Sequence, residues 1–205
     1  MNRKLVSLGC AMALTANSFA AFAQQPVPEK GKTEKRDIVI SDSYTFRTDG
    51  EPGCIFQVEA AAETLAKTVV GSWEPGTRIN LERSLKVGDE LGGHLVVGHV
   101  DGPGRILKID AIEPDPGEPW GATARFHIRA PQGLERFIAT KGSICLDGTS
   151  LTINTVEDDV FTVLLIPHSF AVTTWGERKE GDLVHVEVDL MARYAARLAE
   201  ARPQG

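Results

Sequence analysis

Alternating apolar and polar residues occupy several short stretches of the chain, and this alternation predicts half-buried β-strands. Residues 144–153 predict a strand, a Leu-Asp-Gly turn and a second strand, and residues 160–167 predict a third strand. Residues 183–189 alternate strictly, so one face of that strand would carry three valines and the other Leu183, His185, Glu187 and Asp189.

Two other stretches predict further strands and a helix. Residues 95–112 predict two strands around an Asp-Gly-Pro-Gly turn. Residues 192–201 have the composition of a helix, and Leu190, Tyr194 and Leu198 form a narrow apolar stripe on it. That stripe could pack on the body of the protein or on a neighbouring subunit.

The chain contains an internal repeat. The segment FQVEAAAETLAKTVVGSWEPGTRINLERSL begins at Phe56 and aligns without a gap with FTVLLIPHSFAVTTWGERKEGDLVHVEVDL, which begins at Phe161. Residues 43–46 can also be set against residues 150–153. Shared glycines and a shared strand pattern indicate duplication. We therefore predict an all-β fold of two tandem small antiparallel β-barrels and a terminal helix.

The first 23 residues have the pattern of a secretory signal peptide: a basic start, an apolar run and an Ala-Phe-Ala site. A buried amphipathic helix is the alternative. The polar, proline-containing residues 24–36 read as a linker. The predicted domains are then residues 37–90 for the first barrel, 91–190 for the second, and 191–205 for the helix and tail.

Composition narrows the class of protein. The chain has 22 basic and 28 acidic residues, a net charge of −6, which argues against nucleic acid as a partner. No segment is apolar enough to predict a membrane span. The three cysteines are far apart, which excludes a disulfide scaffold and a cysteine zinc site. The five histidines form no metal-binding pattern.

A polar cluster at strand ends of the second copy is the best candidate for chemistry. Its members are Lys141, Ser150, Thr152, His168, Ser169 and Asp189. Hydroxyls and a few charges at a barrel mouth suit a flat, polar heterocycle. Each residue also has a structural explanation, since Ser and Thr often cap turns, Asp189 precedes a helix, and Lys141 could be a solvated charge.

Four strings, taken together, resemble the riboflavin synthase α-subunit family. They are NLERSLKVGDELGGHLVVGHVDGPG (80–104), KGSICLDGTSLTI (141–153), LIPHSFAVTTW (165–175) and HVEVDLMARYAARL (185–198). The resemblance implies two six-stranded barrels and a C-terminal helix that assembles a homotrimer. It implies that two molecules of 6,7-dimethyl-8-ribityllumazine are converted into riboflavin and 5-amino-6-(D-ribitylamino)uracil, with no metal or organic cofactor.

The resemblance also implies the site residues. Ser150 and Asp189 would be the polar catalytic pair, with His94 nearby. In that family one substrate lies on the first barrel of one subunit and the other on the second barrel of a neighbour. The second-barrel pocket would contain Gly98, His99, Val100, Lys141, Ser150, Leu151, Thr152, Leu164, Leu165, Ile166, Pro167, His168 and Ser169. The first-barrel pocket would contain Ser43, Thr45, Glu59, Ala60, Ala61, Ala62, Glu63 and Thr64.

The first copy departs from the family pattern. Ser43 stands where the family has an active-site cysteine, and nothing in residues 1–42 matches the family's opening strand. Cleavage after Ala23 would leave about 20 residues before Ser43, too few for the strands that are needed. Either the N-terminus is retained and forms atypical strands, or the first barrel is incomplete.

A second function therefore remains open, a non-catalytic lumazine- or flavin-binding protein of the same fold. The signal sequence predicts export to the periplasm, whereas the resemblance implies the cytoplasm.

Overall fold

The computed structural model describes residues 42–47, 55–74, 76–81, 87–114, 116 and 121–201. The predicted signal peptide and linker lie outside these residues. The strands are β1 Asp42–Arg47, β2 Ile55–Ala60, β3 Gly102–Ile112, β4 Thr123–Arg129, β5 Ser143–Leu146, β6 Thr149–Glu157, β7 Val160–Leu165 and β8 Leu183–Val188. The helices are α1 Ala62–Lys67, α2 Pro167–Val172 and α3 Leu190–Glu200.

Six of these strands close into an antiparallel barrel in the order β3-β4-β7-β6-β5-β8. The barrel lies within residues 91–190, so the predicted second barrel is confirmed as a six-stranded one. Its interior is filled by Ile, Val, Leu and Phe side chains contributed by all six strands. Trp175 is 1% exposed and donates its indole N–H to Thr149 Oγ1 over 3.1 Å, so the largest core side chain keeps its polar atom satisfied.

The prediction of two strands in residues 95–112 is wrong. Residues 95–100 are not in a strand, and the predicted turn instead begins the single long strand β3. Gly102 pairs with Val186 of β8, and a Cβ on Gly104 would lie 2.8 Å from the Val186 side chain. These glycines therefore serve close strand packing and not a hairpin turn.

The described residues of the first copy contain the β1–β2 pair and α1, and the prediction of a complete first barrel also involves residues outside the described ones. Val58 and Val163 are equivalent in the repeat; Val58 pairs with Tyr44 and Val163 with Ile153. The strand register thus makes Tyr44 equivalent to Ile153. The sequence alignment instead pairs Tyr44 with Leu151, two residues earlier. The extra residues of the β1–β2 connection, together with a bulge in β6, hide this shift in the sequence.

The duplication is clearest around the two short helices. Thr68 at the end of α1 donates its hydroxyl to Thr64 O over 2.6 Å, and Thr173 after α2 donates to Ser169 O over 2.6 Å. These pairs occupy the same repeat positions, as Phe56 and Phe161 do. The β2–α1 and β7–α2 units therefore share one local structure.

The two copies are joined by a reciprocal pair of hydrogen bonds. Val69 N–H donates to His185 Nε2 over 2.9 Å, and Thr174 N–H donates to Asn80 Oδ1 over 2.9 Å. Val69 is equivalent to Thr174 in the repeat, and Asn80 to His185. Each copy thus offers one buried side-chain acceptor to one backbone donor of the other copy.

His185 is 4% exposed, and charged groups surround it. Asp147, in the β5–β6 turn, accepts the His185 backbone N–H over 2.8 Å and also contacts Arg178. Burial lowers the pKa of His185 below 6.5; Asp147 opposes this shift and Arg178 adds to it. The neutral imidazole is the form that can accept the Val69 N–H.

We predict that His185→Asn makes stability less dependent on pH. Because folding lowers the pKa of His185, its contribution is complete above pH 6.5 and is lost as the pH falls through 6.5 toward the folded-state pKa. Asparagine accepts the same bond at position 80 and does not titrate. Urea unfolding at pH 5 and pH 8 should show a larger loss at pH 5 for the wild type than for the variant; equal losses would contradict this role.

Candidate active site

Ser150 and His94 meet on the outer wall of the second barrel. His94 Nδ1 lies 2.8 Å from Ser150 Oγ, and the His94 backbone N–H donates to the same oxygen over 3.2 Å. Ser150 Oγ accepts the backbone N–H, and the tautomer of the imidazole decides whether Oγ or Nδ1 donates in the contact between the two side chains. A hydroxyl beside a neutral imidazole is an arrangement that can transfer a proton.

This contact depends on a glycine. Gly93 lies so close to β6 that a Cβ on it would be 2.4 Å from Ser150 Oγ and 2.6 Å from Ser150 Cβ. Only a residue without a side chain allows the His94 backbone to approach Ser150 in this way. Sequence reasoning did not single out Gly93; the Gly-Gly pair before His94 was the available signal.

Glu187 anchors the same segment at its other end. This β8 carboxylate is 3% exposed, and its two oxygens accept the N–H groups of Val97 and Gly98 over 3.0 and 3.1 Å. Gly98 has a φ of +76°, which bends the backbone there. The sequence predicted the polar face of β8 but not this contact, which joins positions far apart in the chain.

Asp189 follows β8 and caps α3 by accepting the Met191 N–H over 2.8 Å. The capping explanation is therefore correct. Its charge also acts on the site, because Asp189 and Glu187 both raise the pKa of His94. Burial is the larger effect and lowers that pKa below 6.5, so the ring is neutral at neutral pH.

His94 has one unpaired atom. Among the described residues, its Nε2 is buried and has no hydrogen-bond partner. Burying such a group unpaired costs about 1–3 kcal/mol. Nε2 is therefore a buried polar atom that the described residues leave unsatisfied.

The predicted binding residues of β6, β7 and α2 form an outer surface and not the mouth of the barrel. Ser150 and Thr152 are exposed, because the inward positions of β6 hold Thr149 and Ile153. Ile153 pairs with Val163, so the exposed Thr152 and Leu164 lie close together on the outer wall.

At the end of β7 the chain presents exposed Leu164 and Ile166, then Pro167 and His168 at the start of α2. Leu165 points the other way and is fully buried in the core. Ser169 instead accepts the Thr173 hydroxyl through its carbonyl.

The remaining predicted residues of this surface lie at its edges. Leu151 is partly buried against the core. Lys141 is exposed, with a φ of +67°, and its backbone N–H donates to Ile153 O over 2.8 Å, beside β6. Gly98, His99 and Val100 follow the segment that carries His94, and His99 is exposed.

In the first copy, residues 59–64 occupy the repeat positions of residues 164–169. Ala60 is fully buried, as Leu165 is, while Glu59, Ala61, Ala62 and Glu63 are exposed and Thr64 is half-buried. Ser43 and Thr45 pair with Glu59 and Gln57 in the β1–β2 hairpin. Residues 59–64 thus show the same order of exposed and buried positions as residues 164–169.

A separate cleft of about 490 Å³ lies between the first copy and β8. Arg78, Arg105 and Arg178 line it, and each is bonded to a carboxylate or carbonyl oxygen. The described ranges contain no group of three His, Cys, Asp or Glu side chains placed to hold a metal ion. None of the helices found in them is long and apolar enough to cross a bilayer.

The fold and the site define a class: an antiparallel barrel that carries polar and apolar side chains on its outer wall. The lumazine binding domain family matches residues 97–189. The riboflavin synthase of Brucella abortus (strain 2308) is 57% identical over 145 residues, covering 71% of this chain and 68% of that relative. The riboflavin synthase of Mycobacterium bovis (strain ATCC BAA-935 / AF2122/97) is 40% identical over 146 residues, covering 70% and 69%.

Solved structures agree on the fold. LumP complexed with riboflavin superposes with a TM-score of 0.57 at 20% identity, covering 73% of this chain and 78% of that one. LumP complexed with 6,7-dimethyl-8-(1'-D-ribityl)lumazine gives 0.55 at 19% identity, covering 73% and 77%. The two riboflavin synthases, 57% and 40% identical to this chain, show that it belongs to the riboflavin synthase family.

We predict that Gly93→Ala separates His94 from Ser150. The added Cβ cannot fit, so the segment must move outward, and the exposed imidazole should then titrate with a higher pKa because it loses the burial that lowers this pKa. An NMR titration of the His94 ring measures this. Gly92→Ala is the control, since a Cβ there meets nothing within 4 Å. Identical titrations of Gly93→Ala and the wild type would contradict the prediction.

Proposed function

We propose that this protein is a riboflavin synthase whose second barrel binds one molecule of 6,7-dimethyl-8-ribityllumazine on its outer wall. Two such molecules are consumed; one donates a four-carbon unit to the other, giving riboflavin and 5-amino-6-(D-ribitylamino)uracil. The main support for the proposal is the Ser150–His94 pair, which can transfer a proton and lies beside the exposed residues of β6 and β7. The membership of the chain in this family supports it as well.

The proposed roles follow from the contacts. Ser150 donates its single hydroxyl proton to the bound ring in the complex and to His94 Nδ1 during proton transfer, so that His94 takes and returns the proton through the hydroxyl. Asp189 supplies negative charge that stabilises the imidazolium when it forms. Binding of the ring and ribityl chain falls to the rest of the surface: Gly98, His99, Val100, Lys141, Leu151, Thr152 and residues 164–169.

The reaction requires the protein to orient the two substrate molecules and to transfer protons. The methyl group on C7 of the lumazine is already acidic, so the site must stack two rings in opposed orientation and move protons. Hydroxyl, imidazole and carboxylate groups suffice for these tasks. The acidic group of the substrate supplies its own carbanion once the proton is removed.

The second substrate is proposed to bind the first copy, on residues 59–64 with Ser43 and Thr45. Residues 59–64 occupy the repeat equivalent of the β7–α2 surface, residues 164–169. Ser43 would act there by hydrogen bonding, because a serine hydroxyl is a weaker nucleophile than the cysteine of the family pattern.

A homotrimer would bring the first copy of one subunit to the second copy of another. Met191, Tyr194 and Leu198 form a stripe on α3 that is 75%, 60% and 70% exposed. The opposite side of α3 is tied to the barrel, since Arg193 bonds both oxygens of Asp101 over 2.6 and 2.8 Å. An apolar stripe on a firmly held helix is a natural subunit contact.

The decisive experiment is incubation of the purified protein with 6,7-dimethyl-8-ribityllumazine. We expect riboflavin fluorescence to rise, with one riboflavin formed for every two substrate molecules consumed. Binding of the lumazine without any riboflavin would favour the non-catalytic binding protein. Neither binding nor turnover would exclude both functions.

Ser150→Ala and Asp189→Asn should each lower kcat by roughly 100-fold, the usual effect of losing a group that handles a proton or one that stabilises the charge formed. Asparagine still caps a helix, so Asp189→Asn removes the charge and leaves α3 intact. Lys179→Ala, at an exposed position outside this surface, is the control. Turnover unaffected by either site variant would refute its assigned role.

Leu198→Lys should convert the trimer to smaller species, because a charge in the apolar stripe opposes its burial. Light scattering after size exclusion measures the mass. Arg197→Ala is the control, as it removes only an exposed contact to Glu200. A wild-type protein that is monomeric, or a variant that stays trimeric, would rule out this interface.

A further inference from the structure

We propose that Glu187 is a positioning residue that sets the His94–Ser150 pair by holding the backbone of Val97 and Gly98 against the barrel. The proposal rests on the proposed function for its effect on catalysis, but its structural part stands on the contacts alone. The structure shows no hydrogen bond from Glu187 to His94 or Ser150. Its charge raises the pKa of His94, while its hydrogen bonds hold the segment that carries His94.

The first step is the burial of the carboxylate. Glu187 lies on the outer face of β8 and is 3% exposed. A buried carboxylate is costly unless hydrogen bonds satisfy it. The N–H groups of Val97 and Gly98 do so, one on each oxygen, at 3.0 and 3.1 Å. Because these bonds offset the cost, the segment and the carboxylate stabilise each other.

The second step is the shape of the backbone that meets Glu187. Two successive N–H groups converge on one anion only where the backbone forms a concave turn. The φ of +76° at Gly98 supplies that bend, and a residue with a Cβ would be strained there. Residues 95–100 are therefore not in the strand that the sequence predicts there.

The third step is the register of the strands beneath the segment. Cys145 of β5 pairs with Glu187 of β8 on one side and with Ser150 of β6 on the other. The three residues thus form one row across three neighbouring strands, on the outer face of the barrel. Neighbouring strands lie about 4.8 Å apart, so Glu187 and Ser150 are about 10 Å apart.

The segment from Gly93 to Gly98 spans this row. It contacts Ser150 at Gly93 and His94, and it contacts Glu187 at Val97 and Gly98. Cys145 lies between the two attachment points and is 2% exposed. A segment held at both ends across a rigid barrel wall has little freedom, so loss of the Glu187 end should let His94 move off Ser150.

The test replaces one carboxylate oxygen and keeps the shape. In Glu187→Gln, one oxygen still accepts an N–H, while the amide NH₂ faces the other N–H and cannot accept it. Glu180→Gln is the matched control, because Glu180 also accepts a backbone N–H, that of Ile109 over 2.9 Å, at an exposed place outside the site. Gly98→Ala changes the other partner of the contact, the backbone that donates to Glu187. Gly133→Ala is its control, because Gly133 also has a positive φ, +85°.

We expect Glu187→Gln and Gly98→Ala to lower kcat by roughly tenfold or more, the scale of effect that misplaced catalytic groups produce. In Glu187→Gln, KM for the lumazine should change much less than kcat, and the controls should keep wild-type kcat. Hydrogen exchange at the Val97 and Gly98 amides should become faster in Glu187→Gln, and the His94 ring signals should shift. An unfolded Glu187→Gln would leave Gly98→Ala to decide by the same measurements.

Two results would overturn the proposal: unchanged kcat in a folded variant of Glu187 or Gly98, or a loss of kcat matched by the corresponding control. If the wild type itself has no turnover, the proposed function fails. Amide exchange and the His94 ring signals then still test whether Glu187 positions the segment. Unchanged exchange and unchanged ring signals in the variants would refute the positioning role in that case.

Discussion

The structure depends on the burial of both faces of β8. One face packs Val184 and Val186 into the barrel core, which is what its alternating pattern leads one to expect. The other face carries His185 and Glu187, each less than 5% exposed. Polar groups buried this deeply must find hydrogen-bond partners, and the barrel wall itself offers none because its backbone groups are used in strand pairing.

The partners come from two segments outside the barrel. The backbone at Val69, from the first copy, satisfies His185, and the backbone at residues 97–98 satisfies Glu187. One strand thus organises both the junction between the copies and the segment that carries His94. The same physical demand, a partner for a buried polar atom, produces a structural contact in one case and a candidate active site in the other.

Local patterns were enough to predict β5, β6, β8 and α3, because each of these elements carries its own periodicity or turn residues. They failed at residues 95–100, where the N–H groups bond to Glu187 and not to a strand. They also missed Gly93, whose role depends on the nearness of Ser150. A contact between residues far apart in the chain leaves no local trace. Recognition of the family supplied Ser150, His94 and Asp189 together, although spacing alone does not bring them near.

Duplication followed by divergence explains the asymmetry between the two candidate surfaces. The second copy has Ile166, Pro167 and His168 where the first has Ala61, Ala62 and Glu63, so the two equivalent surfaces differ in bulk and charge. Ser150 and Thr152 face outward beside exposed Leu164 and Ile166, which are 38% and 51% exposed. A wall of this kind excludes water only when a second surface covers it, and electrostatic and proton-transfer chemistry both strengthen when water is excluded. Burial favours the neutral form of His94, and the charges of Asp189 and Glu187 oppose it. A surface that covered this wall would bury the imidazole further and so lower its pKa again.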